Sequence, residues 1–367
     1  MRRIIARGWL LTALAALFIA FAALTSTGCG SATQAEAATA PTQAAVESAT
    51  IDVGGTLLVV RRQDAAWKLV RLTPATGAEQ VLDALPFKPR EALASPSGAR
   101  VLYVGERSRI AVVEAATGAV QRISLAGLPV RSIDGATWTG ENRFLFGGSR
   151  RAWASPQYSS LYRADVRTAK VTRFRRLAGG EPSYAAEDGS LIYVTRRVVG
   201  DTAKEAIWRL DSLTARRPHV LDSAAEYWEA GRVFDTPLIS PDGVYVLSAD
   251  TGTDVQITYS LIKVDFGAAA MLQLYGGSPQ CAAWGGSKVA FQQSLPSGAK
   301  LAVFVYDAVS CSLIPSPSEL FEQLAWSAGG DLAGGSWDDG GRVFVAAASD
   351  LGTWVELGTG RVPVWVQ

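Results

Sequence analysis

One histidine, His219, and three cysteines in 367 residues leave most familiar catalytic machinery without its parts. A Ser-His-Asp triad or a multi-histidine metal centre would need residues from another chain, and His219 itself lies in ARRPHVL on an expected outer strand. The sequence has no G-x-S-x-G elbow, no G-x-x-x-x-G-K-[ST] phosphate loop and no EF-hand loop. Asp250-Thr-Gly-Thr-Asp254 offers two carboxylates in a polar loop, too few for a calcium cage, and reads as a turn. A predominance of one charge is also missing, with 35 Lys and Arg against 34 Asp and Glu. Arg2, Arg3 and Arg7 stand in an N-terminal stretch without acids, so the rest of the chain counts 32 against 34, a net of −2. That balance argues against nucleic acid as a partner of the body. Long amphipathic helical patterns are absent, whereas 36 glycines and 11 tryptophans accompany dense turn chemistry. An all-β fold is expected.

The N-terminus carries an address. A basic MRRIIARG precedes the apolar WLLTALAALFIAFAAL (9–24), and small polar residues then lead to Gly28-Cys29. The ending TSTGCGS resembles the bacterial lipoprotein signal, which implies that 1–28 is removed and that Cys29 is lipidated to become the mature N-terminus. Cleavage near Ala35-Glu36-Ala37, or retention of the apolar stretch as an anchor, are the alternatives; each exports the body. Residues 29–50 lack aromatics and are mostly Ala, Thr, Gln and Ser, too little apolar bulk to pack, and read as a tether. The folded domain is expected from 51 to 367.

An internal repeat decides the architecture. Glycine turns recur at Gly55, Gly98, Gly140, Gly189, Gly243, Gly286 and Gly330, at intervals of 43, 42, 49, 54, 43 and 44 residues. Each follows a short apolar strand and precedes a β-rich one, such as VLYV (101–104), LIYV (191–194) or VYVL (244–247). A second half-repeat runs strand, acid, turn, strand, and places Glu114, Asp165, Asp211, Asp265 and Asp307 equivalently, where a carboxylate can accept backbone N–H groups. Four strands per unit predict a seven-bladed β-propeller of antiparallel blades starting near residues 48, 87, 128, 180, 234, 278 and 321. Six blades, the alternative, would strand a repeat. The last blade has two registers: RVPVWVQ either forms its outer strand or pairs with blade 1 and closes the ring.

The turn Ser240-Pro241-Asp242-Gly243 with its following strand, and ASPSGARVLYV at 94–104, resemble the WD-like repeats of TolB-type propellers. The α/β domain that precedes the propeller in TolB has no counterpart here, so the partners of TolB are not implied. EAATGAVQR (114–122) and TPATGAEQV (73–81) share an A-x-T-G element with quinone-cofactor dehydrogenases, but Arg122 and Val81 stand near the place of the docking tryptophan. No cofactor or metal is expected. Cys281 and Cys311 fall on the inner strand and the outer turn of one blade, about 14 Å apart, too far for a disulfide.

Propeller topology sorts the connections onto two faces. With strands A to D running outward, the A–B and C–D turns share a first face and the B–C and D–A connections share a second. The glycine and acidic turns fall on the first face. The long segments 147–160, 195–206, 222–236 and 293–300 fall on the second, and the three longest cluster near blades 3 and 4. Arg150, Arg151, Trp153, Tyr158, Arg196, Arg197, Tyr227, Trp228 and Arg232 in these segments combine aromatic anchors with bidentate donors, the types enriched at interface hot spots. The sequence therefore points to a non-catalytic, membrane-anchored extracytoplasmic propeller that binds an envelope protein, peptide or glycan through the second face of blades 3 to 5. The alternative is a lyase or hydrolase that works without histidine, using carboxylate, Tyr and Arg groups at the central channel.

Overall fold

The computed structural model describes residues 51–150, 160–175, 181–185, 191–199, 202–210, 212, 219–228, 238–239, 245–251, 256–263, 269–275, 279–285, 288–295, 298–305, 310–317, 320–336 and 340–367, with side chains described mainly for 51–174 and from 314 onward. Cys29 and the residues before 51 lie outside this set, as do Arg151, Trp153, Tyr158, Arg232 and the turn 240–243.

The described elements are all strands. From the N-terminus come β1 (Thr56–Gln63), β2 (Ala66–Thr73) and β3 (Ala78–Leu85). The next sheet is β4 (Pro89–Ala94), β5 (Arg100–Gly105), β6 (Arg109–Glu114) and β7 (Val120–Ile123). Then follow β8 (Ser132–Trp138), β9 (Arg143–Ser149), β10 (Ser160–Asp165) and β11 (Lys170–Arg175). The fourth sheet holds β12 (Glu181–Ala185), β13 (Leu191–Val199), β14 (Thr202–Leu210) and β15 (His219–Trp228). The fifth is β16 (Leu238–Ile239), β17 (Tyr245–Thr251), β18 (Gln256–Lys263) and β19 (Ala269–Tyr275). The sixth is β20 (Pro279–Gly285), β21 (Lys288–Leu295), β22 (Gly298–Val305) and β23 (Ser310–Pro315). Last come β24 (Phe321–Trp326), β25 (Leu332–Ser336), β26 (Arg342–Ala347), β27 (Asp350–Thr359) and β28 (Arg361–Val366).

These strands make seven four-stranded antiparallel sheets, and six of them use four strands consecutive in sequence. The exception has the order β28-β1-β2-β3, so the two ends of the chain share one blade. Of the two registers open for the C-terminus, this is the one that closes the ring. The expected start of blade 1 near residue 48 is thereby corrected: the N-terminal segment enters as the second strand, and β28 supplies the innermost one. Neighbouring innermost strands touch from β8 through β12, β16, β20 and β24 to β28 and on to β4. The circuit is completed where the Trp138 indole N–H donates to the Leu93 carbonyl at 3.0 Å, joining β8 to β4. The chain is a β-propeller, with β12 and β20 starting within a few residues of the expected 180 and 278 and β24 starting at 321.

Apolar residues fill the spaces between blades. Leu58, Val60, Val101, Tyr103, Val362 and Val364 form one such layer between the first and second blades. Leu102, Val104, Ile133, Phe144, Phe146 and Tyr162 form the next, in which the Phe146 and Tyr162 rings stack at 5.3 Å. Between these layers runs a recurring rung that accounts for part of the tryptophan content. Trp138, Trp326 and Trp365, each at or near the end of an innermost strand, donate their indole N–H to Leu93, Ala283 and Ala325 carbonyls of the preceding blade, all at 3.0 Å. Trp284 holds the matching position on β20. Each rung satisfies a backbone carbonyl across a blade boundary, worth about 1 kcal/mol beyond the burial of the ring.

Candidate functional site

The first face spends its polar groups on scaffold. In Ser95-Pro96-Ser97-Gly98, Gly98 takes φ +73° and its N–H donates to the Ser95 carbonyl at 2.8 Å. Glu141 of the next blade then accepts from the Ser95 hydroxyl (2.9 Å), the Ser97 hydroxyl (2.6 Å) and the Ser97 N–H (2.7 Å). These bonds hold its carboxyl below the usual range against the opposing effect of burial. Asp165 acts as its position predicts, accepting from the N–H groups of Arg167 (3.1 Å) and Thr168 (3.3 Å). Glu114 departs from the pattern: its longer side chain accepts from Arg100 Nε at 2.6 Å. Arg100 also donates to the Glu141 carbonyl and the Asn142 side chain, which ties blades 2 and 3 together. Among the described residues of this face, Arg100 and Arg143 therefore bond to turn carboxylates, while the Arg167 side chain is exposed. A shallow depression there, lined by Arg143, Arg163, Asp165, Thr168, Lys170 and Thr172, includes the Arg143–Asp165 ion pair.

The second face is different. Near the ring closure, Arg361 at the start of β28 meets Glu322 on β24, with Arg361 Nε at 2.8 Å and Nη2 at 2.5 Å from the carboxylate, both side chains almost wholly buried. The guanidinium also lies 5.7 Å from the Trp67 ring centre. Arg62 and Lys88 approach the same half-buried ring at 5.9 Å each. Gln323, beside Glu322, accepts from the Ala92 N–H (3.1 Å) and donates to the carbonyls of Ala92 (2.9 Å) and Pro363 (3.3 Å), spanning β24, β28 and β4. None of these residues was singled out from sequence. The tryptophan spacing was available as a signal for the rungs; the Arg361–Glu322 pair had none.

Glu91 lies on β4 next to this cluster. The residue is half-buried, and burial pushes its pKa up against the opposing pull of Arg90. A raised folded-state pKa means that this group stabilises fully below the ordinary value of 4.5 and loses that contribution as pH rises through the folded value. Glu91→Gln, which fixes the neutral form, should raise the melting temperature at pH 7 and leave it nearly unchanged at pH 4. A drop at pH 7 would show that the carboxylate is held by an attraction outweighing its burial.

The described parts of three expected long segments, 195–206, 222–236 and 293–300, are strand. Arg196 and Arg197 occupy β13 positions opposite Glu205 and Lys204, and pairing continues to Val199↔Thr202. Tyr227 and Trp228 end β15, opposite Ala203 and Thr202. Segment 293–300 likewise becomes a hairpin, closing at Leu295↔Gly298. The β-branched residues of TRRVV explain the outcome, because they favour extended pairing over a free loop. Residues 195–199 extend beyond the reach of β12, which pairs only as far as Val194. By topology, the far ends of β13 and β15 still belong to the second face. Arg150, exposed after the end of β9, belongs to it as well. His219 begins the outer strand β15, as expected, and β20 and β23, carrying Cys281 and Cys311, are opposite edges of one sheet.

No protein-family model matches the sequence, and no curated protein matches it. Solved structures do resemble it. The β-propeller domain of the Trilobed protease from Pyrococcus furiosus aligns with a TM-score of 0.55 and 11% identity over 84% of this chain and 96% of that one. An oligogalacturonate lyase in complex with manganese gives 0.54 and 13% over 84% and 86%. TolB from Acinetobacter baumannii gives 0.49 and 13% over 85% and 83%. At these identities the likeness concerns the fold alone. Solved structures of this shape thus include a lyase and a domain of a protease, and the chemistry of this chain must be argued from its own faces.

Proposed function

We propose that the chain is a non-catalytic, extracytoplasmic propeller, anchored through lipid on Cys29, that binds another component of the cell envelope through its second face. The observation that supports this reading is the contrast between the faces. On the first, arginines such as Arg100 and Arg143 are engaged by carboxylates at 2.6 and 3.2 Å. On the second, apart from the buried Arg361–Glu322 pair, Arg90, Arg107, Arg131 and Arg150 are exposed with no ion pair to a carboxylate among the described residues, Arg90 donating only to the Ile133 carbonyl at 2.8 Å. Loops and strand ends on a rigid scaffold are where binding resides, and arginine with aromatic residues is the composition of interface hot spots. Two experiments test it. Cys29→Ala should move the protein from the membrane to the soluble fraction. Replacing Arg151, Trp153 and Trp228 together by Ala should abolish in-cell crosslinking to a recurrent partner at unchanged melting temperature; lost stability with retained crosslinking would assign those residues to the scaffold instead.

A further inference from the structure

Within that binding reading, we infer that the partner is a folded protein presenting a patch of carboxylates to the second face of blades 1 to 3. Arg62, Arg90, Arg107, Arg109 and Arg131 are all exposed there, at the β1–β2, β3–β4, β5–β6 and β7–β8 connections, and Arg150 continues the arc on blade 3. Exposed acids are fewer on the same arc: Asp64, Asp83 and Glu106. The cations are arginines almost throughout, whose planar fork matches a carboxylate in a way that a lysine does not. The interspersed acids favour a folded surface over a uniform polyanion. A polymer with a negative charge at every unit would be repelled wherever it crossed Asp64 or Glu106, whereas a protein can place neutral or basic groups there. Such complementarity sets register and speeds encounter.

Backbone conformation gives a second observation. Arg107 and Ser108 form the β5–β6 turn at φ +55° and +59°, the left-handed region that favours glycine. A glycine would relax this turn, yet an arginine occupies it, with its side chain exposed and with no ion pair among the described residues. The strain is understandable where the side chain is needed for something outside the chain.

The test places a photo-crosslinking amino acid at Lys68 on the second face and, as a control, at Thr117 on the first, in the full-length anchored protein in intact cells. The expected result is one recurrent protein from Lys68 and none from Thr117, with the crosslinked peptide rich in Asp and Glu. Arg107→Gly should cut that crosslink at least threefold while the melting temperature stays level or rises. Adding Arg131→Glu should cut it at least tenfold, and a compensating Glu→Lys in the crosslinked partner peptide should restore it. A partner captured from Lys68 but indifferent to both substitutions would keep the binding reading and overturn the acidic patch. Crosslinks to glycan alone would overturn the inference in favour of a carbohydrate partner. The absence of any second-face crosslink would sink both.

Discussion

Removal of residues 361–367 should abolish the native ring. The truncated chain would lose β28, every residue of which is buried, and would expose the edge of β1 where Leu57 and Leu58 pair with Trp365 and Val364. Val362, Val364, Trp365 and Val366 are each at most 9% exposed. Burying such side chains is worth about 1.5–3 kcal/mol apiece, so the four together contribute on the order of 6–12 kcal/mol. That rivals the whole stability of a typical domain, about 5–15 kcal/mol. The loss also takes away the Trp365 rung to Ala325 and leaves an unpaired hydrophobic edge, a template for aggregation. Expression followed by size-exclusion chromatography should find the truncated protein aggregated or unfolded, and the peptide RVPVWVQ added during refolding should recover part of the monomer. A monomeric truncated chain melting within a few degrees of the intact one would mean that closure does not depend on β28.

The second large effect is expected at the Arg361–Glu322 pair. Both side chains are nearly inaccessible, at 3% and 4%, and the geometry is bidentate. Replacing Glu322 by Leu takes the bidentate carboxylate away from the buried guanidinium and should cost about 3–5 kcal/mol. The double change Glu322→Leu with Arg361→Met should recover most of that loss, because desolvation of the two charges opposes their attraction and a well-packed apolar pair avoids both. Urea unfolding of the two singles and the double gives the coupling directly. If Glu322→Leu alone falls within 1 kcal/mol of the wild type, the pair is solvated in practice and plays no part in closure. The cycle also reports on Trp67, since Arg361 shares that ring with Arg62 and Lys88.

Much of the candidate site was legible as topology and little of it as contact. The glycine turns and their spacing located the blades, and the assignment of SPSG and the acidic turns to scaffold holds where the structure describes them, at Ser95–Gly98 and Asp165. Reading 195–206 and the 222–228 part of 222–236 as loop came from treating polar and charged residues as loop signals. On the strands of a propeller, charged residues next to β-branched ones are compatible with extended pairing, and Arg196↔Glu205 and Arg197↔Lys204 are examples. The recurring tryptophans near the ends of innermost strands mark the rungs in the sequence, but their acceptors are backbone carbonyls, which leave no trace there.

The features readable along the chain are local: which residues turn, which extend, and how often the unit recurs. Pro96, Gly98 and Asp165 act within a few residues of themselves, so their chemistry can be read in one dimension. Tertiary structure alone decided that the C-terminal strand, 305 positions away from Thr56, completes the first blade, as the Arg361 and Thr56 numbers show. It alone brought Glu322 to Arg361, Gln323 to Ala92, and three cations to Trp67. Local propensities are indifferent to which of two apolar segments closes a ring. That choice is made by the packing of the innermost strands against one another, which exists only once all the blades are in place.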